Sequence, residues 1–117
     1  HFSSKEFESP DMLGSGKKMC PIFLKKLDTC REQAGVTFKI SSGYRTVEHN
    51  KKVGGVINSA HTEIPCKAVD IVAVNSRERF KILQSLIQNG FNRIGLGKGF
   101  IHVDESEKSQ DVLWHYY

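Results

Sequence analysis

Residues 68–74 read AVDIVAV, and this run decides how the rest of the chain is interpreted. An almost continuous apolar run of this length is typical of a central β-strand buried on both faces. Its one charged residue is Asp70, and an ionised carboxylate is costly to bury unless it is paired or binds a metal. The run therefore predicts a buried strand. It leaves Asp70 as a metal ligand, a salt-bridge partner of Arg45 or a strand-end residue.

The flanking segments predict helices and further strands around this central strand. Helices are predicted over residues 17–34, 46–52 and 76–90, and strands over residues 36–41, 68–74, 93–96, 100–104 and 112–117. The predicted apolar face of the first helix consists of Met19, Ile22, Phe23, Leu27, Cys30 and Ala34. Ser76 is the predicted cap of the last helix, and its predicted buried stripe consists of Phe80, Leu83, Leu86 and Ile87. Residues 1–16 show no period and predict an extended arm. The fold class is α+β, with helices packed on one face of a small, mostly antiparallel sheet.

Length and composition indicate one globular domain over residues 1–117, which we expect to be monomeric. No apolar run approaches the roughly 20 residues of a membrane-spanning helix. The net charge is +4, but the basic pairs are scattered and no aromatic residues alternate with them. This pattern argues against a nucleic-acid partner. A mild basic excess suits a polyanionic cell wall instead.

The cysteines are predicted to be buried thiols. Cys20 and Cys30 fall on one predicted helix, about 15 Å apart along its axis. A disulfide needs Cα atoms within about 7 Å, so this pair cannot bridge. Cys66 leaves an odd count without a CxxC pair, which argues against a disulfide framework and a cysteine zinc site.

Two histidines join Asp70 as candidate metal ligands. His61 lies in a loop before the central strand, and His102 lies in a second apolar strand, residues 100–104 (FIHVD). Either histidine alone is more often a structural residue. Two histidines and one carboxylate together form a known type of catalytic zinc site with a fourth position open for water. Asp104 shares the face of His102 and is in reach as a base or as its hydrogen-bond partner.

Several motifs, in order, resemble the M15 family of zinc peptidases. They are residues 1–7 (HFSSKEF), 41–46 (SSGYRT), 48–50 (EHN), 58–61 (NSAH), 68–71 (AVDI), 90–91 (GF), 94–95 (IG), 100–104 (FIHVD) and Trp114. This family includes D-alanyl-D-alanine carboxypeptidases and phage endolysins, and it shares its core fold with the Hedgehog signalling domain. The resemblance implies Zn²⁺ held by His61, Asp70 and His102. It also implies a peptidoglycan peptide as substrate, near Arg45, Ser59 and Trp114.

Two departures from the family pattern bear on activity. The segment from His61 to Asp70 is longer than in the family motif and lacks its middle glycine. The acidic residue that many relatives carry before the last histidine is replaced by Gly99. Asp104 is therefore the leading candidate base, with Glu63 second, and Arg45 would stabilise the oxyanion. The alternative is a non-catalytic domain of the same fold that binds metal and a cell-wall or protein partner.

Overall fold

The structure is a computed structural model that describes residues 2–108 and 111–116. In chain order these residues form α1 (Pro21–Ala34), β1 (Ile40–Ser42), α2 (Val47–Lys52), β2 (Ala68–Val72), α3 (Ser76–Gln88), β3 (Arg93–Leu96), β4 (Phe100–Asp104) and β5 (Val112–His115). Three short 3-10 helices are added at Ser4–Phe7, Ser15–Lys18 and Ala60–Thr62. None of the helices in this described part has the length and hydropathy of a membrane span.

The five strands form one sheet in the order β1-β2-β4-β3-β5. All neighbouring strands are antiparallel except β3 and β5, which are parallel. β2 has a partner on each side and is fully buried over Ala68–Ile71. The predicted α+β class and mostly antiparallel sheet are confirmed.

The two faces of the sheet have different roles because side chains alternate along a strand. One face packs against α1 and α3, which also contact each other. The core on this face includes Phe23, Leu27, Val69, Ile71, Ile82, Leu86, Ile101 and Val103. The intervening residues Asp70 and His102 point to the opposite face. The apolar packing thus fixes the strands whose other face carries the candidate site.

The first helix begins later than predicted. Pro21 is its first residue, where a missing N–H costs nothing, and the preceding residues form the separate 3-10 helix Ser15–Lys18. Gly35 ends α1 in the left-handed conformation with φ 67°. The predicted burial of Ile22 is wrong, since this side chain is 79% exposed. The predicted burial of Phe23 and Leu27 is confirmed, and these two residues anchor the helix in the core.

The last helix differs from prediction at its cap and on its buried face. Asn75 is the cap, and its side-chain oxygen accepts a hydrogen bond from the Glu78 N–H at 2.8 Å. The predicted burial of Leu86 is confirmed and Leu83 is partly buried, whereas Ile82 is buried although the predicted stripe left it out. Phe80 and Ile87 are 64% and 56% exposed, so placing them in the buried stripe was wrong.

The N-terminal segment is not the extended arm that was predicted. It contains two 3-10 helices, and Phe7 at the end of the first is fully buried. The backbone N–H of Tyr44 donates to the Phe7 carbonyl at 2.8 Å. β1 is shorter than the strand predicted over residues 36–41. β5 ends at His115, and the His1 and Tyr117 ends of the predicted arm and last strand lie outside the described residues.

Candidate metal centre

The structure brings His61, Asp70 and His102 together. Asp70 in β2 and His102 in β4 are direct partners in the antiparallel register. His61 lies in the 3-10 helix Ala60–Thr62, which begins where the Ser59 hydroxyl accepts a hydrogen bond from the His61 N–H at 3.2 Å. All three candidate ligands are buried, with exposed fractions of 8% or less.

Three atoms of these side chains form a small triangle. His61 Nε2 lies 3.2 Å from Asp70 Oδ1 and 3.2 Å from His102 Nδ1. His102 Nδ1 lies 2.8 Å from the same Asp70 oxygen. Each residue therefore presents one potential ligand atom to a common centre. Among the described residues, this is the group of histidines, cysteines and acids that is arranged to hold a metal ion.

The outer nitrogens of both rings face hydrogen-bond acceptors. His61 Nδ1 lies 2.6 Å from the Gly43 carbonyl oxygen, and His102 Nε2 lies 2.6 Å from Asp104 Oδ2. A carbonyl or a carboxylate can only accept, so these contacts assign the ring proton of each neutral histidine to the outer nitrogen. The inner nitrogens then present lone pairs to each other and to a carboxylate oxygen. Three electron-pair donors at this separation repel unless a cation lies between them, so the residues present fit a divalent metal.

The carboxylates at the site are held in their charged form. Burial by itself raises the pKa of Asp70, but its close contacts with the His102 and His61 rings outweigh burial and hold this pKa well below its usual range. The same holds for Asp104. Burial raises its pKa, but hydrogen bonds from His102, Ser106 and Arg93 outweigh burial and lower the pKa below its usual value. Ionised carboxylates are the form that binds cations and holds imidazole N–H groups.

All three guanidinium nitrogens of Arg45 contact residues at the site. Its Nε donates to Ser42 Oγ at 3.0 Å and its Nη1 to Asn50 Oδ1 at 3.1 Å. Its Nη2 lies 3.3 Å from Asp70 Oδ2, the oxygen that the histidines do not contact. Asp70 therefore uses one carboxylate oxygen for the salt bridge with Arg45 and the other for the contacts with the two histidines. This geometry gives Arg45 a positioning role toward Asp70.

Asp104 is enclosed rather than open to solvent. It is 1% exposed, and its Oδ1 accepts from Arg93 Nε at 2.6 Å and from the Ser106 N–H at 2.9 Å. Its Oδ2 is the partner of His102. Glu63, the second candidate base, does not line the cleft at the site, and its carboxylate accepts from Ser106 Oγ at 3.4 Å.

A cleft of about 600 Å³ opens over the three ligands. Ser59 and Trp114, predicted to contact substrate, both line it together with Arg45. The Trp114 ring lies 5.6 Å from the His102 ring, between centroids. Trp114 packs over β3, where a Cβ on Gly95 would lie 2.5 Å from its indole nitrogen, so this position requires glycine.

Some residues of the site were missed at the sequence level. The Gly43 carbonyl, Asn50 and Arg93 each bind a predicted site residue. Arg93 could have been predicted to have a charged partner, because it is a charged residue at the start of an apolar strand and is costly to bury unpaired, like Asp70. Gly43 carried none, since any residue has a carbonyl. Position 43 nevertheless favours glycine, because a Cβ there would lie 2.7 Å from Phe7 Cα.

Comparison with known families adds one match. The family model described as Peptidase M15 matches residues 4–104. This span contains the three candidate ligands together with Arg45, Ser59 and Asp104, whereas Trp114 lies beyond it. No curated protein matches the chain.

Proposed function

Because this chain belongs to the peptidase M15 family, we propose that it is a zinc-dependent peptidase that cleaves peptide bonds in peptidoglycan stem peptides. The observation that carries the proposal is the inward triangle of His61 Nε2, Asp70 Oδ1 and His102 Nδ1. Two nitrogens and one carboxylate oxygen are a donor set that suits Zn²⁺ and leaves a fourth position for water.

The three ligands would hold the zinc ion, which when bound supplies a water with pKa near about 7 and polarises the scissile carbonyl. The surrounding residues prepare the ligands for this. Asp104 fixes the tautomer of His102, the Gly43 carbonyl fixes that of His61, and Arg45 orients Asp70. Ligands held in this way would raise the affinity of the site for the metal.

The cleft residues accommodate the peptide. Trp114 forms an aromatic wall beside His102, and Val53 and Val56 add apolar surface from the loop after α2. The predicted roles of Arg45 as oxyanion partner and of Asp104 as general base stay predictions. Their present contacts favour positioning roles, and the Asp104→Asn variant separates the two roles of Asp104.

A second candidate function has one specific observation in its favour. The carboxylates that line the cleft are Asp70 and Asp104, and both are buried in hydrogen-bonded pairs. An enzyme of this type needs a group that takes a proton from water. A site with both carboxylates engaged suits a domain that binds metal and a cell-wall or protein partner without hydrolysis.

Zinc content and peptide hydrolysis test the proposal together. We expect about one zinc per wild-type chain, loss of zinc in His61→Ala, and retention in the control His49→Ala, which lies on α2 outside the cleft. Zinc-loaded wild type should release D-alanine or shorter peptides from a peptidoglycan pentapeptide, and His61→Ala should not. Zinc binding without release would favour the second candidate. Absence of zinc binding after zinc is supplied would refute both.

A further inference from the structure

Asn50, on α2, connects the metal centre to one wall of the cleft. It is buried, with an exposed fraction of 5%, and it does not itself line the cleft. Its Oδ1 accepts from Arg45 Nη1 at 3.1 Å, and its Nδ2 donates to the Val56 carbonyl at 2.9 Å. A guanidinium can only donate and a carbonyl can only accept, so these two partners fix the orientation of the carboxamide. Both ends of the Asn50 side chain are therefore engaged.

The nitrogen end of this carboxamide holds the loop that follows α2. Residues 53–56 form this loop, and all four line the cleft. The Gly55 N–H donates to the Asn50 main-chain carbonyl at 2.8 Å, and a Cβ on Gly55 would overlap Asn50 Oδ1. Val53 and Val56 are more than half exposed, so the packing of their side chains contributes little to the position of the loop. The backbone of the loop instead lies directly against Asn50.

The oxygen end of the carboxamide supports Arg45. Arg45 Nη2 lies 3.3 Å from Asp70 Oδ2, while Asp70 Oδ1 faces the two histidines. A long arginine side chain has many rotamers, and each bond that holds its guanidinium restricts them. Asn50 thus helps to keep Arg45 on one oxygen of Asp70, which leaves the other oxygen directed at the metal centre. Contacts run in this way from the loop, through Asn50 and Arg45, to a candidate ligand.

We propose that Asn50 is a positioning residue with two separable functions. Its oxygen orients Asp70 for the metal through Arg45, and its nitrogen holds residues 53–56 as the wall against which the substrate binds. The second function rests on the proposed peptidase function, whereas the first concerns metal binding alone. Because the two ends of the side chain bind different partners, one substitution can break one contact and keep the other.

Two substitutions of Asn50 separate these functions. Asn50→Asp keeps an oxygen toward Arg45 but places a second acceptor against the Val56 carbonyl. We expect KM for a peptidoglycan pentapeptide to rise by about 3- to 10-fold, the usual range for one hydrogen bond, with kcat little changed and zinc affinity no lower than in wild type. Asn50→Leu removes both contacts. It should raise KM similarly and also lower zinc affinity by about 10-fold, the low end of the range for a group that supports a ligand.

A substitution in the loop tests the same contact without changing Asn50. The Cβ of Gly55→Ala would overlap Asn50 Oδ1, so we expect the carboxamide to move away from Arg45 and zinc affinity to fall as in Asn50→Leu. The control Lys51→Leu, exposed on α2 and outside the cleft, should change neither KM nor zinc affinity. Zinc affinity is measured by competition with a chelating dye, which requires no hydrolysis. Thermal melts of the metal-free proteins establish that each variant is folded.

The outcomes distinguish this inference from the peptidase function. Hydrolysis by wild type, with unchanged KM and zinc affinity in folded Asn50→Leu, would overturn the role of Asn50 and leave the peptidase function standing. An equal fall in zinc affinity in Asn50→Asp and Asn50→Leu would refute the separation of the two ends, since the aspartate keeps the contact with Arg45. Absence of hydrolysis by zinc-loaded wild type, with the expected order of zinc affinities, would refute the peptidase function and the substrate part of the inference and support its metal part.

Discussion

Replacing Asp104 with asparagine distinguishes a carboxylate that orients His102 from one that acts as the base. The change keeps the shape but turns one of two acceptor oxygens into an NH₂ donor. In the structure both oxygens face donors, with His102 Nε2 and Arg93 Nε each at 2.6 Å. One of these N–H groups must therefore meet another donor. The tautomer of His102 with its proton on Nε2 is then less favoured, and His102 Nδ1 becomes a poorer metal ligand.

The structure indicates how large the effect should be. Loss of a partner that orients a metal ligand costs about 10- to 100-fold in metal affinity, or about 1.4–2.7 kcal/mol. Weakening a buried ion pair adds a loss of up to about 3 kcal/mol in the unfolding free energy of the metal-free protein. If Asp104 only orients His102, kcat at saturating zinc should stay within about 10-fold of wild type, because the proton transfer itself is untouched.

Zinc affinity is measured by competition with a chelating dye, and kcat is measured separately at saturating zinc. Glu105→Gln is the matched control, because Glu105 is the next residue and binds Lys26 at 2.7 Å near the surface. It should leave zinc affinity unchanged and cost at most about 1 kcal/mol of stability. If Asp104→Asn binds zinc as tightly as wild type while kcat falls by about 10²- to 10⁴-fold, the orienting role is refuted and Asp104 is the base.

Two further predictions concern the core. Leu27→Ala should lower the free energy of unfolding by about 2–5 kcal/mol because Leu27 is fully buried, whereas Ile22→Ala on the exposed face of the same helix should change it by about 0.5 kcal/mol or less; equal losses in urea melts would contradict the orientation of α1. Burial raises the pKa of Cys30 to about 11 and that of Cys66 to about 12, so neither thiol should react with a thiol reagent at pH 8 until the chain is unfolded. Labelling of Cys66 in the native protein, identified by mass spectrometry, would show that its thiol is accessible to solvent and would contradict this prediction.

The sheet was predictable because its strands carry their own signals. The run over residues 68–74 and the segment FIHVD are apolar enough to be read as buried strands, and both were found. The N-terminal segment gave no such signal. Its 3-10 helices depend on contacts with distant residues, such as the bond from the Tyr44 N–H to the Phe7 carbonyl. A sequence pattern records local periodicity and does not record a partner that lies many residues away.

The errors in the last helix have a different cause. The predicted stripe of Phe80, Leu83, Leu86 and Ile87 and the face that carries the buried Ile82 and Leu86 are neighbouring apolar faces that share Leu86. Both satisfy the 3.6-residue period, and only packing against α1 decides which is buried. The cap was ambiguous for a similar reason, because Asn75 and Ser76 are both good capping residues.

The candidate ligands could be identified because a carboxylate in a buried strand needs a counter-charge, and two histidines were the natural partners. The hydrogen bonds around them could not be identified. The direction in which Asp104 faces is set by its partners, among them the Arg93 side chain from the neighbouring strand β3. Sequence spacing placed Asp104 near His102 but left its role open.

The long segment between His61 and Asp70 is compatible with an intact site because both of its ends are fixed independently of its length. The Arg45 N–H donates to the His61 carbonyl at 2.8 Å, and the Gly43 carbonyl holds the ring. At the other end, Cys66 exchanges backbone hydrogen bonds of 2.8 Å with Lys18 and Cys20, just before β2 begins. The added residues therefore form a loop between two anchored points. The entropic cost of closing a loop rises only slowly with its length. The longer segment can therefore be accommodated without displacing His61 or Asp70.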